Sequence, residues 1–178
     1  MATSWTASSS YTGVTVSASV DNTSGVIAQA WLTTQIGPGA TSAQQIATTT
    51  VPPVSGNDTL FTGLSLGPGT YYLVLMFNSG MSIADWQIQD SASPIVTDAG
   101  VTIGPSLVGP FQSFPSYGPS ASFSSLGSSD LGDNNGDKFM FSVTEGSGAV
   151  PEPASVFLLG PALGFLFLAR KGLARRVW

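Results

Sequence analysis

Between residues 11 and 20 the chain alternates, with Val14, Val16, Ala18 and Val20 interleaved by Thr15, Ser17 and Ser19. A period of two marks a strand with one buried face. Asp21-Asn22-Thr23-Ser24-Gly25 is a turn cluster, and residues 26–36, carrying Trp31, read as a second strand. Gly37-Pro38-Gly39 ends it, and the Thr-rich, β-branched stretch 46–51 predicts a third. Pro52-Pro53 and Gly56-Asn57-Asp58 interrupt the chain again. Residues 59–66, then Gly67-Pro68-Gly69, then residues 70–77 predict a hairpin.

The stretch 70–77 is apolar on both faces: Tyr71, Leu73, Leu75 and Phe77 on one, Tyr72, Val74 and Met76 on the other. Such a strand belongs in the middle of a sandwich or under a loop. Residues 83–89, with Trp86, predict a further strand, and 95–108 a weaker one interrupted at Gly100 and Gly104-Pro105. The Ser/Pro/Gly stretch 109–132 predicts a long surface loop, with Phe111, Phe114, Tyr117 and Phe123 dipping onto the sandwich. Residues 138–144 predict the last strand, and 145–150 a flexible linker. Short strands at this spacing, without an amphipathic helix, give an all-β class: an antiparallel, jelly-roll-like β-sandwich over residues 1–144.

Residues 151–178 form a different kind of segment, with three parts in fixed order. Pro151-Glu152-Pro153 comes first, then an uncharged apolar run over 154–169, then Arg170, Lys171, Arg175 and Arg176. As a helix the run would span about 24 Å, short of the roughly 30 Å hydrocarbon core. Long basic side chains can snorkel to the interface and make up the difference. The run has no polar face, which favours lipid over a soluble core and predicts a single C-terminal transmembrane helix. Four of the five basic residues follow it, so its C-terminal end should face the cytoplasm and residues before Pro151 the other side.

The order Val150-Pro151-Glu152-Pro153-Ala154-Ser155, apolar run, Ala169-Arg170 resembles the PEP-CTERM sorting signal of Gram-negative bacteria that make exopolysaccharide. The resemblance implies that exosortase, a membrane-embedded cysteine protease, reads Pro151, Glu152 and Pro153, and that the tail is removed. It covers residues 151–178 and concerns address, not activity. Gly172-Leu173-Ala174 splits the basic cluster and Val177-Trp178 follow it, departures that leave the orienting charge in place. Residues 66–73 and Trp86 loosely resemble ectodomains that carry this tail.

Charge sharpens this picture. Residues 1–150 hold nine acids and one base, Lys138, a net charge of −8 that the basic tail offsets to −5 for the chain. Such a surface is unsuited to nucleic acid, and meets an acidic polysaccharide only through a bridging cation. With neither cysteine nor histidine, no disulfide or thiol chemistry is available. A hydrophobic content of 42% argues against disorder. Residues 1–10 contain neither a basic n-region nor an apolar h-region, so the expectation is that an export signal precedes Met1.

Four patterns carry candidate chemistry. Gly63-Leu64-Ser65-Leu66-Gly67 spells the nucleophile elbow, but a strand follows where a helix should and no histidine can take the proton. Asp130, Asp133, Asn135 and Asp137 gather the oxygens a calcium ion wants. EF-hand spacing fails there because Lys138 holds the glycine position, and an Asn-Gly turn explains the same letters. Trp31 or Trp86, exposed on a sheet face, would make a sugar platform, and Asp85 with Asp90 would suit a glycosidase only if they converged in a cleft. A core Trp86 between two solvated aspartates is the reading the pattern favours. Gly160 and Gly164 have the spacing of packed membrane helices, or are apolar filler around Pro161.

The sequence therefore predicts an exported, non-enzymatic protein of the cell surface or extracellular matrix, associated with exopolysaccharide. It needs no cofactor, with calcium as the one candidate, and its expected partners are exosortase, the membrane and exopolysaccharide, not nucleic acid. A carbohydrate-binding module is the alternative, and a secreted hydrolase the less favoured one.

Overall fold

The computed structural model describes residues 1–22, 28–77, 84–89, 99–109, 117–125 and 138–146. The chain divides into two compact units, Met1–Gly146 and Ser147–Trp178, and the second lies wholly outside the described residues. The first is antiparallel β-structure throughout, with two single-turn 3-10 helices and no α-helix among the described residues. Its strands are β1 (Ala2–Ala7), β2 (Tyr11–Asn22), β3 (Ala28–Thr33), β4 (Gln45–Val51), β5 (Gly56–Leu66) and β6 (Gly69–Phe77). Then come β7 (Ala84–Trp86), β8 (Ile88–Gln89), β9 (Val101–Val108), β10 (Ser124–Ser125), β11 (Lys138–Phe139) and β12 (Phe141–Thr144).

The larger sheet has the order β10-β9-β1-β6-β3-β4 and the smaller β12-β2-β5, with β7 also on β2 and β8 paired with β11. One apolar cluster joins the facing sides of the two sheets. Trp5, Ala30, Leu32, Tyr71, Leu73 and Leu75 come from the larger sheet, and Val14, Val16, Ala18, Val20 and Phe141 from the smaller. The alternation of β2 is thus realised, its valines buried and Thr15 and Ser19 half-buried on the other face, where Ser17 is also buried.

Strand β6 is covered on both faces, as its composition requires. Tyr71, Leu73, Leu75 and Phe77 enter the main core, while Val74 joins Ala2 and Trp31 in a second cluster on the back of the larger sheet. Residues 117–125 lie over that cluster, with Tyr117 and Phe123 packed against it. Gly118 is pressed so closely on the Trp31 indole that an added Cβ would come within 2.7 Å of Cζ3. The Pro119 carbonyl accepts from Gly37 N–H at 2.8 Å, and β10 pairs with the end of β9, which fastens the segment on both sides.

Three expectations need correction. Residues 59–66 and 70–77 are not a hairpin: β5 pairs with β2 and β6 with β1 and β3, so Gly67-Pro68 arches from one sheet to the other. The physical reason is the difference between the arms. The two-faced β6 needs a central position with cover on both sides, whereas β5 exposes Thr59, Thr62 and Ser65 and suits a sheet edge. The Tyr71 hydroxyl braces the arch by donating to the Gly67 carbonyl at 2.6 Å.

Secondly, Gly104-Pro105 does not interrupt its strand. It forms a bulge in β9, two residues opposite Ser4, because Ile103 aligns with Trp5 and Ser106 with Thr3. Proline suits a bulge, having no N–H to give the ladder. Thirdly, the last strand is split at Met140: β11 pairs with β8 and β12 with β2. Three strands meet at this break. Met140 N–H donates to the Gln87 carbonyl at 2.8 Å, Gln87 N–H to the Ser19 carbonyl at 2.9 Å, and Ser19 N–H to the Met140 carbonyl at 3.0 Å.

Candidate functional site

The two tryptophans lie inside the fold, not on it. Trp86 is 1% exposed, stacked on Phe139 with ring centroids 4.8 Å apart. Its Nε1 donates to the Met140 carbonyl at 2.7 Å, so its polar end is also satisfied within the protein. Trp31 is 7% exposed, on the opposite face of the larger sheet, roofed by residues 117–125. Trp86 is thus the core residue its pattern favoured, and the alternative, a sugar platform on Trp31 or Trp86, is corrected: a platform ring must leave one face free for the sugar, and both rings are packed. A ring with its N–H on a backbone carbonyl and its face on Phe139 acts as core.

Other candidates fall elsewhere. Asp130, Asp133, Asn135 and Asp137 lie outside the described residues, as do Asp90, Pro151, Glu152, Pro153, Arg170, Lys171, Arg175 and Arg176. Asp85 is described through its backbone alone, opposite Asp21 on β2. Ser65 of the elbow-like sequence is exposed on β5, with β6 after it, so no strand-to-helix turn presents its hydroxyl. Among the described residues no group of three or more acidic side chains gathers to hold a metal. No helix among them is long and apolar enough to cross a membrane, and residues 154–169 lie outside them.

No protein family, curated protein or solved structure matches this chain. The chemistry must therefore be read from its own surfaces.

Among the described residues, a regular set of polar positions lies on the outward side of the smaller sheet. Because Val14, Val16, Ala18 and Val20 point inward, Thr15, Ser17 and Ser19 form a row on the other side of β2, Thr15 and Ser19 half-buried and Ser17 only 7% exposed. Register extends this row sideways: Ser142 lies opposite Ser17 and Thr144 opposite Thr15 on β12, while Thr59 lies opposite Ser17 and Asn57 opposite Ser19 on β5. Ser17 and Thr59 hydroxyls are 3.4 Å apart, and Ser19 Oγ donates to Gln87 Oε1. These residues carry hydroxyl and amide groups and no charge. They can donate to and accept from a neutral, hydroxyl-rich polymer, but with no histidine in the chain nothing of that kind activates a hydroxyl as a nucleophile. Sequence reasoning had assigned this face no role. The alternation of residues 14–20 located its central row, but which residues flank that row depends on strand register.

Among the described residues, two titrating groups are perturbed by burial. The Met1 amine donates to the Leu75 carbonyl at 2.9 Å, and desolvation lowers its pKa to about 6. Burial raises the Tyr71 phenol above its ordinary value. Both belong to the packing of the larger sheet and its arch, away from the hydroxyl rows.

Proposed function

We propose that this chain is an exported cell-surface or extracellular-matrix protein whose C-terminal segment is a sorting signal of the PEP-CTERM kind. The observation that carries the reading is the order Pro151-Glu152-Pro153, uncharged run over 154–169, then Arg170, Lys171, Arg175 and Arg176. Two prolines around one acid keep the backbone extended and short of N–H donors. A protease binds its substrate extended, so this tripeptide at the outer membrane–water boundary is a fit substrate for a membrane-embedded sorting enzyme. The four cations hold the far end of a transmembrane helix in the cytoplasmic leaflet. Residues 145–150 act as the linker between this signal and the β-domain.

The β-domain is a jelly-roll-like sandwich with a binding or structural role and no catalytic one. Support comes from a chain that passes repeatedly between the two sheets, β1 to β2 to β3 and β4, then β5 to β6. The uncharged hydroxyl and amide rows of the smaller sheet suit hydrogen bonding to a neutral stretch of exopolysaccharide, which the domain's acidic charge does not oppose.

The test compares the wild-type chain with Glu152→Ala in a host that makes exosortase, by intact mass of surface and inner-membrane fractions. Wild-type surface protein should lack residues from about the tripeptide onward, and Glu152→Ala should remain full length in the inner membrane. Wild-type surface protein that still ends in Trp178 would replace sorting by a permanent single-span anchor.

A further inference from the structure

An edge strand presents a row of unpaired N–H and C=O groups, and β-proteins usually blunt such edges with charge, proline, bulges or shortness. Several edges here follow that rule. Strand β5 breaks register with β2 at three places and carries Asp58 together with Gly56 and Gly63, whose φ values are 156° and 70°. β10 is two residues long, and β7 is three.

Strand β4 has one of these devices, a bulge that leaves Ile46 unpaired near its start, and is otherwise unprotected. Its seven residues, Gln45-Ile46-Ala47-Thr48-Thr49-Thr50-Val51, contain no charge, proline or glycine. It runs in unbroken register with β3 from Val51 to Ala47, and no described strand lies on its other side. The chain on either side of it is equally neutral, with no charged residue between Asp21 and Asp58. In a domain that otherwise repels its own copies through a net charge of −8, this is the sector without that repulsion. Ile46 projects from the strand 38% exposed.

We propose that β4 is a self-association edge, to which a second copy of this chain adds antiparallel about a two-fold axis through Thr48. Thr48 then lies opposite Thr48 of the second copy, Ile46 opposite its Thr50, Ala47 opposite its Thr49, and Gln45 opposite its Val51. Opposite residues share a face. The exposed Ile46, Thr48 and Thr50 row therefore meets its own image, and so does the half-buried Ala47 and Thr49 row. Both Ile46–Thr50 pairs are β-branched contacts that suit a pleated surface. The contact is isologous and closes on itself, so the product is a dimer and not a fibre.

The absence of cysteine makes the register directly readable. Single-cysteine variants of the full-length chain are purified in detergent and oxidised with diamide, which takes up the two electrons and two protons released as two thiols join. Directly opposite Cβ atoms in an antiparallel pair sit about 4.5–5.5 Å apart, close enough to the roughly 3.5–4.5 Å of a disulfide for small backbone shifts to join them. Thr48→Cys should give a disulfide-linked dimer at least about ten-fold faster than Ser65→Cys, which places its sulfur on the blunted β5 edge. Association through residues 151–178 does not select between these positions. A second variant keeps Thr48→Cys and adds Thr50→Lys. Lysines on both flanks of the two-fold should slow cross-linking by about ten-fold or more. Equal rates for Thr48→Cys and Ser65→Cys, no dimer from Thr48→Cys, or a rate that Thr50→Lys leaves unchanged would each overturn the proposal.

Discussion

Trp86 decides between two uses of an aromatic ring, and stability measurements separate them. Its indole is sealed at the junction of β2, β7 and the β11–β12 break, stacked on Phe139 and bonded to the Met140 carbonyl. Replacing it by alanine removes a large buried ring, for which about 3–5 kcal/mol is the ordinary cost in a core. The stack contributes about 0.5–1.5 kcal/mol beyond its buried area, placing this position in the upper half of that range. Trp86→Phe keeps most of the ring and the stack. It removes one hydrogen bond, worth about 0.5–1.5 kcal/mol, and leaves a small void. The Met140 carbonyl still accepts from Ser19 N–H at 3.0 Å, so it is not orphaned. A loss of about 1–2 kcal/mol is therefore expected for phenylalanine, and at least about 3 for alanine.

The assay is urea unfolding of residues 1–149 followed by far-UV circular dichroism, with the slope held common to all three proteins. A platform tryptophan behaves oppositely, since surface substitutions away from special features stay within about 0.5 kcal/mol. Trp86→Ala costing less than about 1 kcal/mol would refute both the burial and the correction drawn from it.

Residues 1–149 themselves should fold without the tail, because the strands and the Gly146–Gly13 backbone hydrogen bond lie within them; a helical or random-coil circular dichroism spectrum of that fragment refutes this. The Met1 amine makes stability depend on pH in a window free of histidine and cysteine. Its folded pKa, about 6, lies below the 8.0 ordinary for a chain-terminal amine, so the unfolded chain binds the extra proton between those values. Stability should then rise from pH 6 to pH 8 by up to about 2–3 kcal/mol. Melting curves of a chain that begins at Met1 should show this rise, and acetylation of the amine should abolish it.

What the sequence made legible was what periodicity encodes. The β2 alternation, the double-sided apolarity of β6 and the dipping of Tyr117 and Phe123 onto the sheet were all readable because each is a local pattern with one packing solution. Strand β1 was not readable. Ala2, Thr3, Ser4 and Ala7 are small or polar and lie buried because β9 and β6 flank them, a fact of tertiary position. The arch at Gly67-Pro68 failed for a related reason. The same turn residues serve a hairpin or a crossing between sheets, and the partner of each arm decides which.

Function divides along the same line. The sorting signal proposed for residues 151–178 would be a one-dimensional message, because a motif, a hydropathy run and a charge cluster keep their meaning in any fold. A binding face is two-dimensional. Thr15, Ser17 and Ser19 become part of a surface only once register sets Ser142, Thr144, Thr59 and Asn57 beside them. Residue type alone left Trp86 two readings, and burial decides for the core one that the pattern favoured. Tryptophan draws attention as a sugar ligand, yet in a domain without disulfides its large buried area serves the core first. The proposed contacts with a neutral polymer then rest on serine, threonine and asparagine, which no single-position signal distinguishes from ordinary solvated strand. Substituting several of those hydroxyls together, and not either tryptophan, is what should alter attachment to a matrix while leaving the fold intact.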